Sequence, residues 1–264
     1  TAEEVLESLA KLGINAVELQ NTPVEAFAGA PGPGPRWRRG QEPTPEQQAA
    51  RRKAVEDLRQ WRLSVSMDKF EALRKMYQEK GVNIFAFKLR LTDAMSDEEY
   101  SYCFKVAQTL GASHVTMELP EDETLTRRIG EFAEKQKIYV GYHNHTQVNE
   151  QSWDAALAQS PYNGINLDVG HFTDAINKSP IPFIKKHRDR IVSMHLKDKQ
   201  YGSNGGANLP WGQGDTPLKE ILQLMKKEKY QFPAVIELEY PVPKGSTPMA
   251  EIAKCVQFCK QALA

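Results

Sequence analysis

Short apolar runs alternate with longer amphipathic segments along the chain, and this alternation limits the fold more than any other feature. Short continuous runs that are rich in β-branched residues are typical of strands buried on both faces. We expect seven such strands, at 16–19, 83–89, 114–119, 138–143, 165–169, 191–196 and 234–239. The chain should therefore contain a sheet with helices packed against it.

The segments between the runs have the capping residues and the spacing of helices. Ser96 precedes the segment 97–110, which has two glutamates in its first turn, and both features favour a helix start. Gly81 is a suitable residue to end a helix over 69–80. Further helices are expected at 2–12, 124–135, 152–159, 182–187, 217–228 and 248–263.

This strand–helix–strand order predicts an α/β fold with parallel strands and right-handed crossovers. A (β/α)8 TIM barrel has eight strands, and the sequence contains seven. Because 2–12 has the character of the helix that follows a first strand, we expect the first strand to be missing from this chain or supplied in another way. A doubly wound open sheet is the alternative, although no GxGxxG motif follows a strand.

We expect one domain over 1–264, interrupted by an irregular insertion at 30–50 that is rich in Pro and Gly. The insertion follows the strand at 16–19, where a barrel places a loop over its active face. It is either a solvated surface loop or a lid that covers the substrate. A nucleic-acid-binding arm is a lesser alternative, because the charge is local. The side chains available to such a lid are Arg36, Trp37, Arg38 and Arg39.

Composition argues against two classes of partner. Lys plus Arg number 34 and Asp plus Glu number 34, so the formal net charge is zero. A surface that binds nucleic acid or an anionic membrane needs a positive excess, so we expect neither partner. No apolar stretch reaches the roughly 18 residues that indicate a transmembrane helix.

The three cysteines and the chain start bear on compartment. Without a CxxC motif, the cysteines predict buried thiols rather than disulfides or a thiolate zinc site. No signal peptide is visible, but the chain starts with Thr1 rather than Met. We favour a cytoplasmic location, and leave open an exported form and a homo-oligomer.

Histidines and carboxylates are concentrated at the ends of the expected strands. The carboxyl ends of parallel strands form the active face of such folds. A carboxylate buried in an apolar strand is costly unless it is paired or binds a cation. Together these residues suggest a polar site for a divalent metal ion, Mn, Mg, Zn, Co or Fe. They are Glu118, His143, His145, Asp168, His171, His195, Glu237 and Glu239.

Spacing supports a shared pocket. Asp168 and His171 are three residues apart at a strand-to-loop turn, so both can face one pocket. The two-residue spacing of Glu237 and Glu239 places both on one strand face. Taken alone, an Asp at a strand end commonly caps the next helix. His114, at a strand start, and His187, in a charged helix end, are expected to be structural or solvent-exposed.

Five motifs in order along the chain resemble the xylose isomerase-like TIM-barrel superfamily, the group of sugar phosphate isomerases and epimerases. They are GYHNH (141–145), NLDVGH (166–171), SMHLKD (193–198), GQGD (212–215) and VIELEY (235–240). The resemblance implies one divalent cation, Mn, Mg, Co or Zn, at the strand ends. By this resemblance, Asp168, His195 and Glu237 are metal ligands from the sixth, seventh and eighth strands.

The remaining ligand departs from the family pattern. The fifth-strand glutamate of tagatose-type epimerases is replaced here by His143. We favour Glu118, on the fourth strand, as the fourth ligand, with His143 beside the metal or bound to substrate. The departure puts in doubt any transfer of the two-glutamate epimerase mechanism.

The resemblance implies a sugar or keto-sugar isomerase or epimerase that acts through a metal-stabilised enediolate. The candidate catalytic bases are Glu118, His143, His145 and Glu239. The candidate substrate-binding residues are Lys88, His171, Lys197 and Trp211. Lys88, in an apolar strand, must be paired, and Asp198 is expected to line the pocket beside Lys197. Trp153 is another candidate for stacking on a sugar, although packing is the commoner role of such residues.

Other functions stay open. A dehydratase or lyase acting on a keto-sugar or inosose would use the same enediolate chemistry. An endonuclease IV-like phosphodiesterase is disfavoured by the zero net charge and the lack of early-strand ligands. A non-catalytic sugar-binding barrel is the third alternative. Asp215, in GQGD, argues mildly against a phosphate at that loop, because like charges repel.

Overall fold

In the computed structural model, residues 1–35, 37, 40 and 42–264 are described. Within these ranges the chain forms nine strands and eleven α-helices. The strands are β1 (Ala16–Gln20), β2 (Asn83–Lys88), β3 (His114–Glu118), β4 (Tyr139–His143), β5 (Asn163–Asp168), β6 (Ile191–Leu196), β7 (Asp198–Lys199), β8 (Asn208–Leu209) and β9 (Ala234–Ile236). The helices are α1 (Ala2–Leu12), α2 (Asn21–Phe27), α3 (Pro45–Ser64), α4 (Asp68–Glu79), α5 (Asp97–Leu110), α6 (Glu123–Gln136), α7 (Asp154–Gln159), α8 (Val169–Ile176), α9 (Ile181–His187), α10 (Leu218–Glu228) and α11 (Pro248–Leu263).

Seven strands form one parallel sheet in the order β1-β2-β3-β4-β5-β6-β9. The seven strands lie side by side in the same order in which they follow one another along the chain. The sheet therefore lacks the reversal of order that defines a doubly wound sheet. The expected α/β fold is confirmed, and the sheet is a nearly closed barrel with one strand fewer than eight. Among the described residues no pairing joins β9 to β1. An apolar groove of about 580 Å³ lies between them, under α1 and α11.

Buried apolar side chains fill the space between the sheet and its helices. They include Phe70, Leu73, Tyr77, Phe87, Tyr100, Phe104, Val140, Leu167 and Phe172. This core holds the strand ends, and therefore the side chains that follow them, in fixed positions. Within the part of the chain that the structure describes, no helix has both the length and the apolar character needed to cross a bilayer.

The expected strands are present, but those expected at 83–89, 114–119, 165–169 and 234–239 end one to three residues earlier than the apolar pattern indicates. The strand expected at 165–169 ends at Asp168, because the Asp168 side chain accepts the backbone N–H of His171 and caps α8. The strand expected at 234–239 pairs with β6 only through Ile236. A short antiparallel pair, β7 with β8, was not expected.

The insertion expected to be irregular over 30–50 is shorter in the structure. Thr44 caps α3, which begins at Pro45, with a capping box that includes Gln47. Proline therefore starts a helix here instead of preventing one. Of the four side chains considered for a lid, Trp37 is 37% exposed, and Arg36, Arg38 and Arg39 lie outside the described residues.

A buried ion pair attaches α3 to the barrel. Arg62, near the end of α3, donates from Nε to Glu25 Oε1 at 2.7 Å and from Nη2 to Oε2 at 3.1 Å. Tyr102, on α5, donates to the same carboxylate at 3.1 Å. None of the described side chains of α3 is buried. This polar contact, the packing of Trp61 on the core and an ion pair between Arg59 and Glu99 at 3.5 Å attach the helix to the barrel.

Candidate metal centre

The polar side chains predicted at the strand ends converge at the carboxyl end of the sheet. Register places Glu118 beside His143 and Asp168 beside His195. The backbone N–H of Glu237, directly after β9, bonds to Leu196 O, which brings Glu237 next to the end of β6. Four neighbouring strands and the segment after β9 therefore supply one cluster.

Two groups of described residues have ligand atoms close enough to hold a cation. The atoms of the first group, His143, Asp168, His195 and Glu237, all lie within 4.8 Å of one another. Glu118 belongs to a second, more exposed group with His143 and His145. We expected Glu118 to lie with Asp168, His195 and Glu237. In the structure His143 occupies that place instead. The reason is that Glu118 contacts Lys88 at 3.3 Å and His145 at 3.0 Å.

The two carboxylate oxygens of Asp168 have different surroundings. Its Oδ1 accepts the His171 N–H at 2.8 Å. Its Oδ2 is buried and, among the described residues, receives no well-oriented hydrogen bond, although Lys197 Nζ lies 2.9 Å away. Burial raises the pKa of Asp168 to about 7, and Lys197 opposes this increase. A buried oxygen without a hydrogen bond beside two imidazoles and a second carboxylate fits a divalent metal ion.

His195 is held between two carboxylates. Its Nδ1 lies 2.6 Å from Glu237 Oε2, and its Nε2 lies 3.3 Å from Glu18 Oε2. Burial lowers the pKa of His195, but the hydrogen bonds to Glu18 and Glu237 outweigh it and raise the pKa to about 10. Burial likewise raises the pKa of both carboxylates, and His195 outweighs it, so both lie below their ordinary value. The imidazolium is thus stabilised at this position without a metal.

His143 is neutral and oriented. Its Nδ1 lies 2.6 Å from Asn166 Oδ1, and its Nε2 lies 3.9 Å from Asp168 Oδ2. Burial, followed by the charge of His195, lowers the pKa of His143 to about 2. A neutral imidazole with one nitrogen engaged and the other directed at a carboxylate has the form of a metal ligand.

Lys197 is a buried cation on the same cluster. Its Nζ lies 2.6 Å from Glu239 Oε2, 3.3 Å from Glu237 Oε2 and 3.1 Å from His171 Nε2. Burial lowers the pKa of Lys197, but Asp168 and Glu237 outweigh it and raise the pKa. Gly170 permits this position, because a side chain there would collide with the stem and carbonyl of Lys197.

Two carboxylate–imidazole pairs border the cluster. Glu118 pairs with His145 at 3.0 Å, and Glu239 Oε2 lies 3.6 Å from His171 Nε2. The His145 ring is 4.8 Å from the His171 ring and 5.2 Å from the His143 ring. Burial, followed by Lys197, lowers the pKa of His171 to about 3. Both pairs therefore bring a carboxylate and an imidazole together at the border of the cluster. As expected, Lys88 is paired, with Glu118.

The structure does not bring Trp211, Trp153 or Asp198 to the cluster. Trp211 packs edge-on against Phe258 of α11 at 5.7 Å. Trp153 is buried and donates from Nε1 to the carbonyl of Tyr142. Asp198 turns away from the pocket, because its carboxylate accepts backbone N–H groups of Gly212, Gln213, Gly214 and Thr216.

Sequence reasoning missed Glu18, although the signal was present. Glu18 stands in a short apolar strand near its carboxyl end, which is the pattern that identified Glu118. His114 was expected to be structural or exposed; it is buried and contacts Ser193 inside the barrel. No local pattern marks Ser193 or Asn166, whose contacts arise between strands.

Comparisons with known proteins agree with the fold. The family model described as xylose isomerase-like TIM barrel matches residues 6–261. An inosose dehydratase from Clostridium botulinum (strain Eklund 17B / Type B) is 23% identical over 154 residues, which are 51% of this chain and 51% of that protein. The match thus spans about half the length of this curated relative.

Two solved structures are similar over almost the whole chain. The probable 3-DHS dehydratase AsbF from Bacillus anthracis has a TM-score of 0.66 at 14% identity, with 98% of this chain and 93% of that chain covered. A D-psicose 3-epimerase has a TM-score of 0.63 at 12% identity, with coverages of 99% and 92%. At these identities the similarity demonstrates a shared fold.

Proposed function

The chain belongs to the xylose isomerase-like TIM barrel family, and from this premise we propose that it is a divalent-metal-dependent isomerase or epimerase of a sugar or keto-sugar. The observation that carries the proposal is the group of His143, Asp168, His195 and Glu237 at the carboxyl ends of the strands. Two nitrogen and two carboxylate donors suit Zn, Mn or Co, and Mg less well. Glu118 is the remaining candidate ligand, through the second group.

A bound divalent cation would polarise the substrate carbonyl and stabilise the negative charge that develops when a proton leaves the adjacent carbon. The residues of the chain supply the other requirements. Glu118 with His145, and Glu239 with His171, hold and transfer protons at their carboxylate oxygens and imidazole nitrogens. Lys197 Nζ and Lys88 Nζ offer hydrogen bonds to substrate oxygens. Two acid–base pairs at one cluster are what proton removal and return require.

We further propose that the substrate is not phosphorylated where it meets the loop 212–216. Backbone N–H groups at this loop are where TIM barrels often bind phosphate. Here the carboxylate of Asp198 already accepts four of these N–H groups, at 2.7–3.3 Å. A ketose and its phosphate ester, compared as substrates, test this point. Equal or better turnover of the phosphate ester would contradict it.

A dehydratase or lyase is the second candidate. It is favoured by the identity of residue 143, because a neutral imidazole bonded to Asn166 leaves the site without a carboxylate at that position. Lys197, held between Glu239 and His171, could donate a proton from Nζ to a departing oxygen. The inosose dehydratase similarity supports the same candidate.

Metal content tests the shared premise of both candidates. We expect about one Mn, Zn, Co or Mg per chain in protein purified without chelator, and loss of this metal in Asp168→Asn. Asp122→Asn is a matched control, because Asp122 also caps a helix but lies outside the cluster. Absence of metal from the unchanged chain after loading would overturn the proposal.

Proton exchange separates the two reactions. A screen of keto-sugars in D2O, followed by proton NMR, should show deuterium entering at the carbon next to the carbonyl. An isomerase or epimerase forms an isomer of the substrate that carries deuterium. A lyase instead forms a smaller product and releases water or an alcohol. If the metal-loaded protein exchanges no proton with any of these substrates, both reactions are contradicted and a sugar-binding function is favoured.

A further inference from the structure

A line of polar side chains, buried except for its first member, runs through the barrel interior to the candidate metal centre. It consists of Ser113, His114, Ser193, Asn166 and His143, which we call the interior relay. His143, Asn166 and Ser193 are register partners on β4, β5 and β6. His114 reaches Ser193 from β3, which is not a neighbour of β6 in the sheet. The last four members are each at most 1% exposed.

The hydrogen bonds of the relay share one direction. Asn166 Oδ1 can only accept, so His143, 2.6 Å away, must donate from Nδ1. Asn166 Nδ2 donates to Ser193 Oγ at 2.6 Å, and the Ser193 hydroxyl reaches His114 Nε2 at 2.9 Å. At the far end, Ser113 Oγ donates to Phe85 O and accepts from His114 Nδ1 at 2.9 Å.

We propose that Asn166, Ser193 and His114 are positioning residues that keep His143 in the tautomer with hydrogen on Nδ1, so that Nε2 is available to a metal ion. The effect on metal binding rests on the proposed metal centre, whereas the tautomer of His143 rests on the hydrogen bonds alone. An opposite direction would require the Asn166 amide to turn over, and would place hydrogen on His143 Nε2. Ligand competence at residue 143 therefore depends on side chains that never contact the metal.

The state of His114 agrees with this direction. Burial lowers the pKa of His114 to about 4, so its imidazole is neutral near pH 7 and has one bare nitrogen. The relay requires that nitrogen to be Nε2. A neutral histidine sealed in a barrel is costly unless both nitrogens are satisfied, and the relay satisfies both.

NMR of the unchanged, metal-free protein tests the tautomers directly. Nitrogen-15 shifts and long-range couplings of the histidine rings should show hydrogen on Nδ1 in both His143 and His114 near pH 7. The two rings are assigned with His143→Gln and His114→Gln. A predominant Nε2–H tautomer in either ring would overturn the inference, whatever the outcome of metal binding.

Ser193→Ala tests the consequence with Zn²⁺ as the probe. The variant removes the link between Asn166 and His114, so His143 should gain an Nε2–H population and Zn²⁺ should bind about 10–100-fold more weakly. Ser160→Ala is the matched control, because Ser160 is another buried serine whose hydroxyl bonds to Gly130 O away from the centre. Its tautomers and affinity should match the unchanged protein.

The outcomes separate this inference from the proposed function. If the unchanged protein binds no Zn²⁺ but shows both Nδ1–H tautomers, the metal proposal fails and the relay stands. If it binds Zn²⁺ and Ser193→Ala binds equally well with an unchanged His143 tautomer, the relay proposal fails and the metal centre stands.

Discussion

Glu18 Oε2 lies 3.3 Å from His195 Nε2, so β1 and β6, which are not paired in the sheet, meet inside the barrel. The other nitrogen of the same ring faces Glu237 at 2.6 Å. A carboxylate behind a metal-binding imidazole fixes the ring and increases its basicity. In the proposed metal centre, Glu18 would therefore be the supporting carboxylate of His195.

Glu18→Gln should weaken binding of Zn²⁺ about 10–100-fold, because the amide keeps the shape of the side chain but loses its charge. The pKa of His195, raised to about 10 in the unchanged protein, should fall in the variant. Isothermal titration measures the affinity, and NMR titration measures the pKa. Glu121→Gln is the control on an exposed glutamate. An unchanged affinity for Zn²⁺ in Glu18→Gln would show that the Glu18 carboxylate does not support His195.

Acid should destabilise the protein through His114. Its pKa is about 4 when folded and 6.5 when unfolded, so the unfolded chain binds the proton first and stability falls as pH decreases from about 6.5 to 4. That difference corresponds to roughly 3 kcal/mol. Urea unfolding across this range should show the loss. The loss should be smaller in His114→Gln; equal pH dependence in both proteins would contradict the prediction.

The ion pair between Arg62 and Glu25 should contribute much more to stability than an exposed pair on the same helix. Arg62→Met removes the cation and leaves the buried Glu25 carboxylate with only neutral donors, Tyr102 and Asn21, so the free energy of unfolding should fall by about 3–5 kcal/mol. Lys53→Met, which breaks the exposed pair with Asp57, should cost less than about 1 kcal/mol. Denaturant unfolding measures both. Similar small losses would show that α3 is held by other contacts.

Asp198→Asn should loosen the loop 212–216. The amide replaces one acceptor oxygen with a donor, so at least one backbone N–H loses its partner, at a cost of about 1–3 kcal/mol. Hydrogen exchange followed by mass spectrometry should show faster exchange in this loop. Asp122→Asn, at an exposed helix cap, should leave the loop unchanged. Slow exchange in Asp198→Asn would mean that the carboxylate does not organise the loop.

Much of the barrel could be predicted because its rules are local. Apolar runs of five or six residues mark strands buried on both faces, and Ser96 with Glu99 marks the start of α5 by a capping box that the structure contains. The ends of β5 and β9 were misplaced, because an apolar pattern continues through Val169 and Leu238 while the backbone hydrogen bonds do not. Asp168 ends its strand by capping the next helix.

The sequence was sufficient to predict which strand ends carry the residues of the candidate site. Asp168, His195 and Glu237 were assigned together, and the structure brings them together with His143. The preference for Glu118 over His143 had no local basis, because the two are register partners at adjacent strand ends. The direction of each side chain decides between them, and that direction depends on Lys88 and Asn166.

The sequence by itself determined the alternation of strands and helices, and it determined that acidic and imidazole groups would gather at one end of the sheet. Only the tertiary structure decided which groups meet: Glu18 with His195, and His114 with Ser193. The physical reason is that periodicity specifies the face on which a side chain lies, whereas its partner across the barrel is set by register and by the direction of hydrogen bonds between strands distant in sequence.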